Sequence, residues 1–241
     1  MTPDQVRGRH WALVPAAGSG RRFGGEVPKQ YLRAAGKPLI EHALDALLSH
    51  PGVDGVVVAL AADDAHWPGW TSLQGKPVIA CIGGGERADS VLAALQALPD
   101  GVADDELLLV HDAARPNLHA EDITKLIAAA NACADGAILA APMRDTLKRA
   151  DAGNPDGNPR IAATEPRDGL WRALTPQAFR RDLLRRALEH AQSNGLIATD
   201  EAMAVERLGL YPALVEGRED NLKVTTPADL ALAEFLLARH A

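Results

Sequence analysis

The chain has 241 residues, 47% of them hydrophobic, enough for one large core or one domain with an appendage but short for two full catalytic domains. A net charge of -7 excludes broad affinity for nucleic acid or an anionic membrane, so any basic cluster must be local. No apolar run approaches the roughly 18 residues of a membrane span, the first fourteen residues hold no signal-peptide core, and Cys81 and Cys133 lie apart inside apolar segments. A protein of the reducing cytoplasm is the expectation.

In chain order, an apolar strand is expected at 11–15 ("WALVP"), followed by a glycine-rich loop, and then by a helix whose stripe is Leu39, Ile40, Ala43, Leu44, Leu47 and Leu48. Strands follow at 55–61 and 77–82, then a helix through Val91, Leu92, Leu95 and Leu98. A strand at 106–110, a helix through Ile123, Leu126, Ile127 and Ala130, and a strand at 137–142 come next. A helix through Leu183, Leu184, Ala187, Leu188 and Ala191 and a strand at 211–217 lead to a last helix, with Thr226 as N-cap, Pro227 in the first helical position and Asp229 completing a capping box. Several strands are apolar throughout, as central strands covered on both faces are. The alternation specifies an α/β fold, a Rossmann-like, mostly parallel central sheet flanked by helices, with ligands beyond the carboxyl ends of its strands.

Residues 144–171 break this pattern. Their centre, "DAGNPDGNP", is dense in turn formers, and the charged flanks "TLKR" and "RIAATE" are short enough to pair as a protruding β-hairpin arm. The whole chain, 1–241, reads as one domain carrying this arm.

The stretch "LVPAAGSGRRFGGEVPKQY" carries the chemistry. A dinucleotide fingerprint fails, because the third residue after Gly20 is Phe23; a Walker A loop fails, because Glu26 and Val27 follow Gly25. What remains is a strand, a loop of Ala16, Ala17, Gly18, Ser19 and Gly20, then Arg21, Arg22 and Lys29. Glycines admit phosphate oxygens close to backbone amides, and the cations neutralise charge on a departing pyrophosphate, which suits attack at the α-phosphorus of a nucleoside triphosphate. A tight turn with solvated basic residues is the bland alternative.

"PAAGSGRRFGGEVPKQYL" resembles the signature of nucleotidyltransferases that join a nucleoside monophosphate to a sugar or polyol phosphate. Together with "GGGERADSVLAAL", "VHDAARP", "APMRDTLKR", "LWRALTPQAF", "ATDEAMAVE" and "VEGREDNLKVTTPADLALAE", in that order along nearly the whole chain, it resembles the 2-C-methyl-D-erythritol 4-phosphate cytidylyltransferase family. The resemblance implies transfer of CMP from CTP to that polyol phosphate, with Mg²⁺ accompanying the nucleotide. It implies that Ala16, Ala17, Gly18, Ser19 and Gly20 grip the triphosphate, that Arg22 and Lys29 stabilise the transition state, and that Gly84, Gly85 and Ser90 read cytosine. Some relatives carry Asp where this chain has Gly85.

On the acceptor side the resemblance implies Arg167 and Lys223 on the substrate phosphate, with Asp112, Arg115, Thr146, Thr175 and Thr199 around the polyol. Asp112, at a strand end, suits either a Mg²⁺ ligand or a polyol contact. Arg167, at the base of the arm, implies a homodimer with shared sites. A cytidylyltransferase for another polyol phosphate, such as ribitol 5-phosphate, is the nearest rival, and a non-catalytic nucleotide-binding protein the rival of another class. Because the chain ends after its last helix, transfer without a fused cyclase is expected.

Overall fold

The computed structural model describes residues 10–18, 27–151 and 158–239. Its strands and helices are β1 (His10–Pro15), β2 (Arg33–Ala34), β3 (Lys37–Pro38), α1 (Leu39–Ser49), β4 (Val53–Leu60), β5 (Ser72–Leu73), β6 (Lys76–Ile82), α2 (Arg87–Gln96), β7 (Leu107–Val110), α3 (Ala120–Ala132), β8 (Ala137–Pro142), β9 (Leu147–Asp151), β10 (Arg160–Glu165), β11 (Trp171–Arg180), α4 (Arg181–Ser193), α5 (Glu201–Glu206), β12 (Ala213–Glu216) and α6 (Pro227–Ala238). A 3-10 turn, Lys29–Tyr31, precedes β2.

Eight strands form the central sheet in the order β12-β8-β11-β7-β1-β4-β6-β5. β1 pairs in parallel with both β4 and β7, β4 with β6, and β12 with β8. The reason the strands are apolar without alternation is visible along β1. Ala12 and Val14 face a layer containing Ile40, Leu44, Leu47 and Leu48 of α1 and Ile123 and Leu126 of α3. Trp11 and Leu13 face Val91, Ala94 and Leu95 of α2 and Leu183, Leu184, Ala187 and Leu188 of α4. Each large aliphatic side chain buried this way contributes about 1.5–3 kcal/mol, so both helical layers are held by the same strands.

One strand was not legible. Residues 171–180 form β11, wedged between β7 and β8 and antiparallel to both. Pro176 offers no backbone donor, and the register against β8 shifts between Ala173 and Gln177, so the stretch lacks the continuous period that marks a strand.

The arm pairs as expected: Leu147 lies opposite Glu165, Lys148 opposite Thr164 and Asp151 opposite Arg160. Its flanking charges pair across the strands, Arg149 with Glu165 at 2.5 Å. The turn expected at the centre of the arm falls on residues 152–157, outside the described residues. The α6 start also follows its sequence signals: the Asp229 amide donates to Thr226 Oγ1 at 3.3 Å, and the Thr226 amide donates to Asp229 Oδ2 at 2.8 Å.

The strand order turns around β1. The chain runs from β1 outward to β4 and β6, then returns to place β7 on the other side of β1. Such a reversal opens a crevice beyond the carboxyl ends of the two strands.

Candidate active site

A cleft of about 920 Å³ occupies that crevice, lined by the end of β1 (Pro15 to Gly18), by Lys29 and Gln30, by the loop from β6 into α2 and by the segment after β7. Lys223 and Thr225, from the loop before α6, close its other side. Ala16, Ala17, Gly18, Lys29, Gly84, Gly85, Ser90, Asp112 and Lys223, scattered over 208 positions of sequence, therefore meet at one place. Ser19, Gly20 and Arg22 lie outside the described residues.

On the β1 side, the Ala16 amide donates to Ala59 O at 2.7 Å, which fixes where the loop leaves the sheet. Gln30 then ties the two halves of the opening motif together: its Nε2 donates to Ala16 O at 2.7 Å, with Gly18 O at 3.4 Å. Its neighbour Tyr31 is anchored the other way, its hydroxyl donating to Asp64 at 2.8 Å. Lys29 is thus carried on a turn with both following residues pinned.

Across the cleft, the Gly83 amide donates to Leu60 O at 2.7 Å, and Ser90 Oγ accepts the Gly84 amide at 3.2 Å while donating to Glu86 O at 3.2 Å. This packing demands glycine at two positions. A Cβ on Gly83 would stand 2.8 Å from both Ala17 Cβ and Ser90 Oγ, and one on Gly84 would stand 2.2 Å from Asp89 Cβ. At Gly85 nothing lies within 4 Å, so a side chain has room there.

Asp112 is the electrostatic centre. Its Oδ1 receives Arg87 at 3.2 Å; its Oδ2 receives Lys223 Nζ at 2.9 Å and Arg115 Nε at 3.3 Å. Burial would raise its pKa, but Arg87, Lys223 and Arg115 outweigh burial and hold the carboxyl far below the usual carboxylate range. Arg87 also pairs with the buried Glu201. Burial raises the Glu201 carboxyl despite that arginine.

A second set of hydrogen bonds fixes the Asp112 main chain. The Asp112 amide donates to Thr175 Oγ1 at 3.0 Å, and Thr175 Oγ1 lies 3.0 Å from His111 Nδ1. His111 Nε2 lies 3.0 Å from the Arg115 carbonyl, which can only accept, so the proton belongs on Nε2 and the Thr175 hydroxyl donates to Nδ1. Burial of the ring pushes the His111 pKa down to about 4.

The loop that carries Lys223 is laced to the same segment. Arg115 Nη1 donates to Asn221 O at 2.8 Å, Asn221 Nδ2 to Thr175 O at 2.7 Å, Asn117 Nδ2 to Asp220 O at 3.2 Å, and the Val224 amide to Ala114 O at 2.9 Å. Arg115 and Thr175 are buried behind Asp112 and do not line the cleft.

Three further expected contacts also stay outside it. Arg167 is exposed at the base of the arm and donates to the Arg144 carbonyl; Thr146 and Thr199 are also exposed, the latter beside Met203 Sδ. Among the described residues no group of three His, Cys, Asp or Glu side chains is placed to hold a metal ion. Sequence reasoning passed over Gln30, Arg87, Glu201 and Asn221. Arg87 and Glu201 sit inside two of the quoted blocks, and opposite charges in separate blocks were the available signal.

A family model described as 2-C-methyl-D-erythritol 4-phosphate cytidylyltransferase matches residues 11–239. The enzyme of that name from Xanthomonas campestris pv. campestris (strain 8004) is 62% identical over 236 residues, 98% of this chain and 87% of that one. The one from Stenotrophomonas maltophilia (strain R551-3) is 60% identical over 232 residues, 96% and 97% of the two chains. Among solved structures, that of the Francisella tularensis 2-C-methyl-D-erythritol 4-phosphate cytidylyltransferase superposes with a TM-score of 0.79 at 31% identity, covering 95% of this chain and 99% of that one.

Proposed function

The chain belongs to the 2-C-methyl-D-erythritol 4-phosphate cytidylyltransferase family, and on that premise we propose how its cleft carries out the reaction. It is a nucleotidyltransferase that moves CMP from CTP to 2-C-methyl-D-erythritol 4-phosphate, giving 4-diphosphocytidyl-2-C-methyl-D-erythritol and pyrophosphate. A phosphate oxygen of the acceptor forms the new bond to the α-phosphorus, and the bond from that phosphorus to the α–β bridging oxygen breaks, its electrons leaving with pyrophosphate. No side chain has to act as nucleophile, so the protein's share is alignment and charge stabilisation.

The observation that carries this reading is one cleft with glycines along one wall and Lys223 beside Asp112 on the other. Ala16, Ala17 and Gly18, continuing into Ser19 and Gly20, cradle the triphosphate, and Gly84, Gly85 and Ser90 receive the base. Lys29 and Arg22 offset the charge that grows on the α-phosphorus and the leaving group. Asp112 and Lys223 face the acceptor; Arg115 and Thr175 serve it by holding Asp112. Arg167 and Thr146, exposed on and beside the arm, fit a role across a homodimer, in which the arm of one subunit reaches the cleft of the other. Thr199 stays a substrate-side residue in this reading.

Mg²⁺ travels with the triphosphate and supplies charge neutralisation when bound. Asp112 does not fit as its holder, since both carboxylate oxygens are engaged by cations. The chain acts as one nucleotidyltransferase domain, and Cys81 and Cys133, neither in a disulfide, suit a reducing cytoplasm. No helix among the described residues is long and apolar enough to cross a membrane.

Pyrophosphate release with CTP tests the reading when 2-C-methyl-D-erythritol 4-phosphate and ribitol 5-phosphate are offered separately. The first is turned over faster; the reverse order overturns the acceptor. Lys29→Ala is expected to lower kcat by about a hundredfold or more with unchanged circular dichroism. Undiminished pyrophosphate release in that variant refutes the role of Lys29.

A further inference from the structure

We infer that Arg87 and Glu201 are a positioning pair for the acceptor side: Glu201 holds Arg87 on Asp112 Oδ1, and this leaves Asp112 Oδ2 to fix the Lys223 ammonium. The inference rests on the reading of Lys223 as the group that holds the acceptor phosphate.

The geometry divides the two oxygens of one carboxylate. Arg87 Nε and Nη2 both lie 3.2 Å from Oδ1, and Arg87 Nη1 turns away to pair with Glu201 Oε1. Lys223 Nζ lies 2.9 Å from Oδ2, shared among the described residues with Arg115 Nε. A guanidinium free of Glu201 would take a carboxylate through both oxygens, the arrangement its fork favours. That would compete with Lys223 for Oδ2. Glu201 thus keeps Arg87 on one side of Asp112.

The rest of the fold is built to present Glu201 for this task. It opens α5, whose first turn is clamped from β11: Gln177 Oε1 accepts the Ala202 amide at 2.9 Å, and Gln177 Nε2 donates to Asp200 Oδ2 at 3.0 Å. Asp200 Oδ1 in turn accepts the Met203 amide at 2.9 Å. Glu201 is 1% exposed, and its second oxygen, Oε2, has no hydrogen-bond partner among the described residues. Well-packed apolar side chains of similar volume often stabilise a fold as well as a buried ion pair does, so stability alone does not account for this one. The benefit therefore lies in where Arg87 is held. Arg87 also begins α2, one residue beyond Glu86 and the three glycines, so the side chain that meets Asp112 starts from the glycine side of the cleft, which it lines.

The test is steady-state pyrophosphate release by the full chain, with CTP and acceptor each varied while the other saturates. Glu201→Gln keeps the shape and removes the charge; Arg87→Lys keeps a charge and removes the fork. Both are expected to raise the acceptor KM about tenfold and to leave the CTP KM within about twofold. Lys223→Ala raises the acceptor KM by itself, and adding Glu201→Gln to it costs less than about twofold more, because the two act through one group.

A support role confined to folding would instead lower kcat through a smaller active fraction, with both KM values unchanged in both variants, and that result overturns the inference. So do effects of Glu201→Gln and Lys223→Ala that multiply independently. If Lys223→Ala leaves the acceptor KM unchanged, the reading of Lys223 fails and the inference falls with it; if it raises that KM while Glu201→Gln and Arg87→Lys do not, only the inference falls. Should Glu201→Gln lose its native circular dichroism, the Arg87→Lys split between the two KM values decides.

Discussion

Replacing Thr175 by valine removes one hydroxyl and keeps the side chain's shape. That hydroxyl accepts the Asp112 amide at 3.0 Å and stands 3.0 Å from His111 Nδ1, to which it donates. Thr175, His111 and Asp112 are all buried, so water does not replace either bond. Each buried polar group left unpaired costs about 1–3 kcal/mol, which puts the loss near 3 kcal/mol for the two. With an unfolding entropy of about 2 cal/mol/K per residue, this lowers Tm by about 6 °C in a chain of this length. Thr175→Ser retains the hydroxyl and gives up only a methyl group, worth about 1 kcal/mol or 2 °C. Thermal unfolding followed by calorimetry separates the two variants. Equal Tm values for the valine and serine variants, or a valine variant within about 1 °C of the parent, would refute the assignment of the relay.

The buried ring of His111 gives a pH dependence with a definite sign. Its folded pKa of about 4 lies below the ordinary 6.5, so between those values the unfolded chain binds a proton that the native protein does not. The contribution is complete above pH 6.5 and is lost as pH falls from 6.5 to about 4, by roughly 3 kcal/mol at about 1.4 kcal/mol per pH unit. Urea midpoints measured across that range should drop toward acid, and the drop should shrink in His111→Gln; an unchanged drop in that variant contradicts the assignment. The glycines of the base-side loop offer a contrast of position. Gly84→Ala meets Asp89 Cβ at 2.2 Å and is expected to raise the CTP KM or unfold the loop, whereas Gly85→Asp enters open space and should leave Tm within about 1 °C. A Gly84→Ala enzyme with parental Tm and CTP KM would show that the close approach is not needed.

Much of this molecule is written locally. The apolar runs at β1, β4, β7 and β8 are strands buried on both faces, the run at β6 is a strand buried only at Val78, and the α6 capping box needs only residues three apart, Thr226 and Asp229. Such features rest on interactions within a few residues, so the one-dimensional pattern contains them. The glycine loop and Lys29 were likewise singled out by residue type and spacing, and the fold places Ala16, Ala17, Gly18 and Lys29 on the wall of the cleft.

What lay beyond reach depends on contacts between distant segments. β11 pairs with strands that end 29 and 61 positions before it starts, at Pro142 and Val110, and carries a proline, so its period is broken where its role is greatest. Thr175, the residue before that proline, sits behind Asp112 instead of facing the cleft. Arg115 and Lys223 both carry positive charge, and sequence assigned both to the substrate; only the fold puts one beneath Asp112 and the other at its open side. The sequence by itself determined the chemistry that the site must contain, because glycine, lysine and carboxylate properties are intrinsic. The tertiary structure decided which of those groups line the cleft and which hold their neighbours in place, because side-chain direction is set by packing between segments that no local pattern connects.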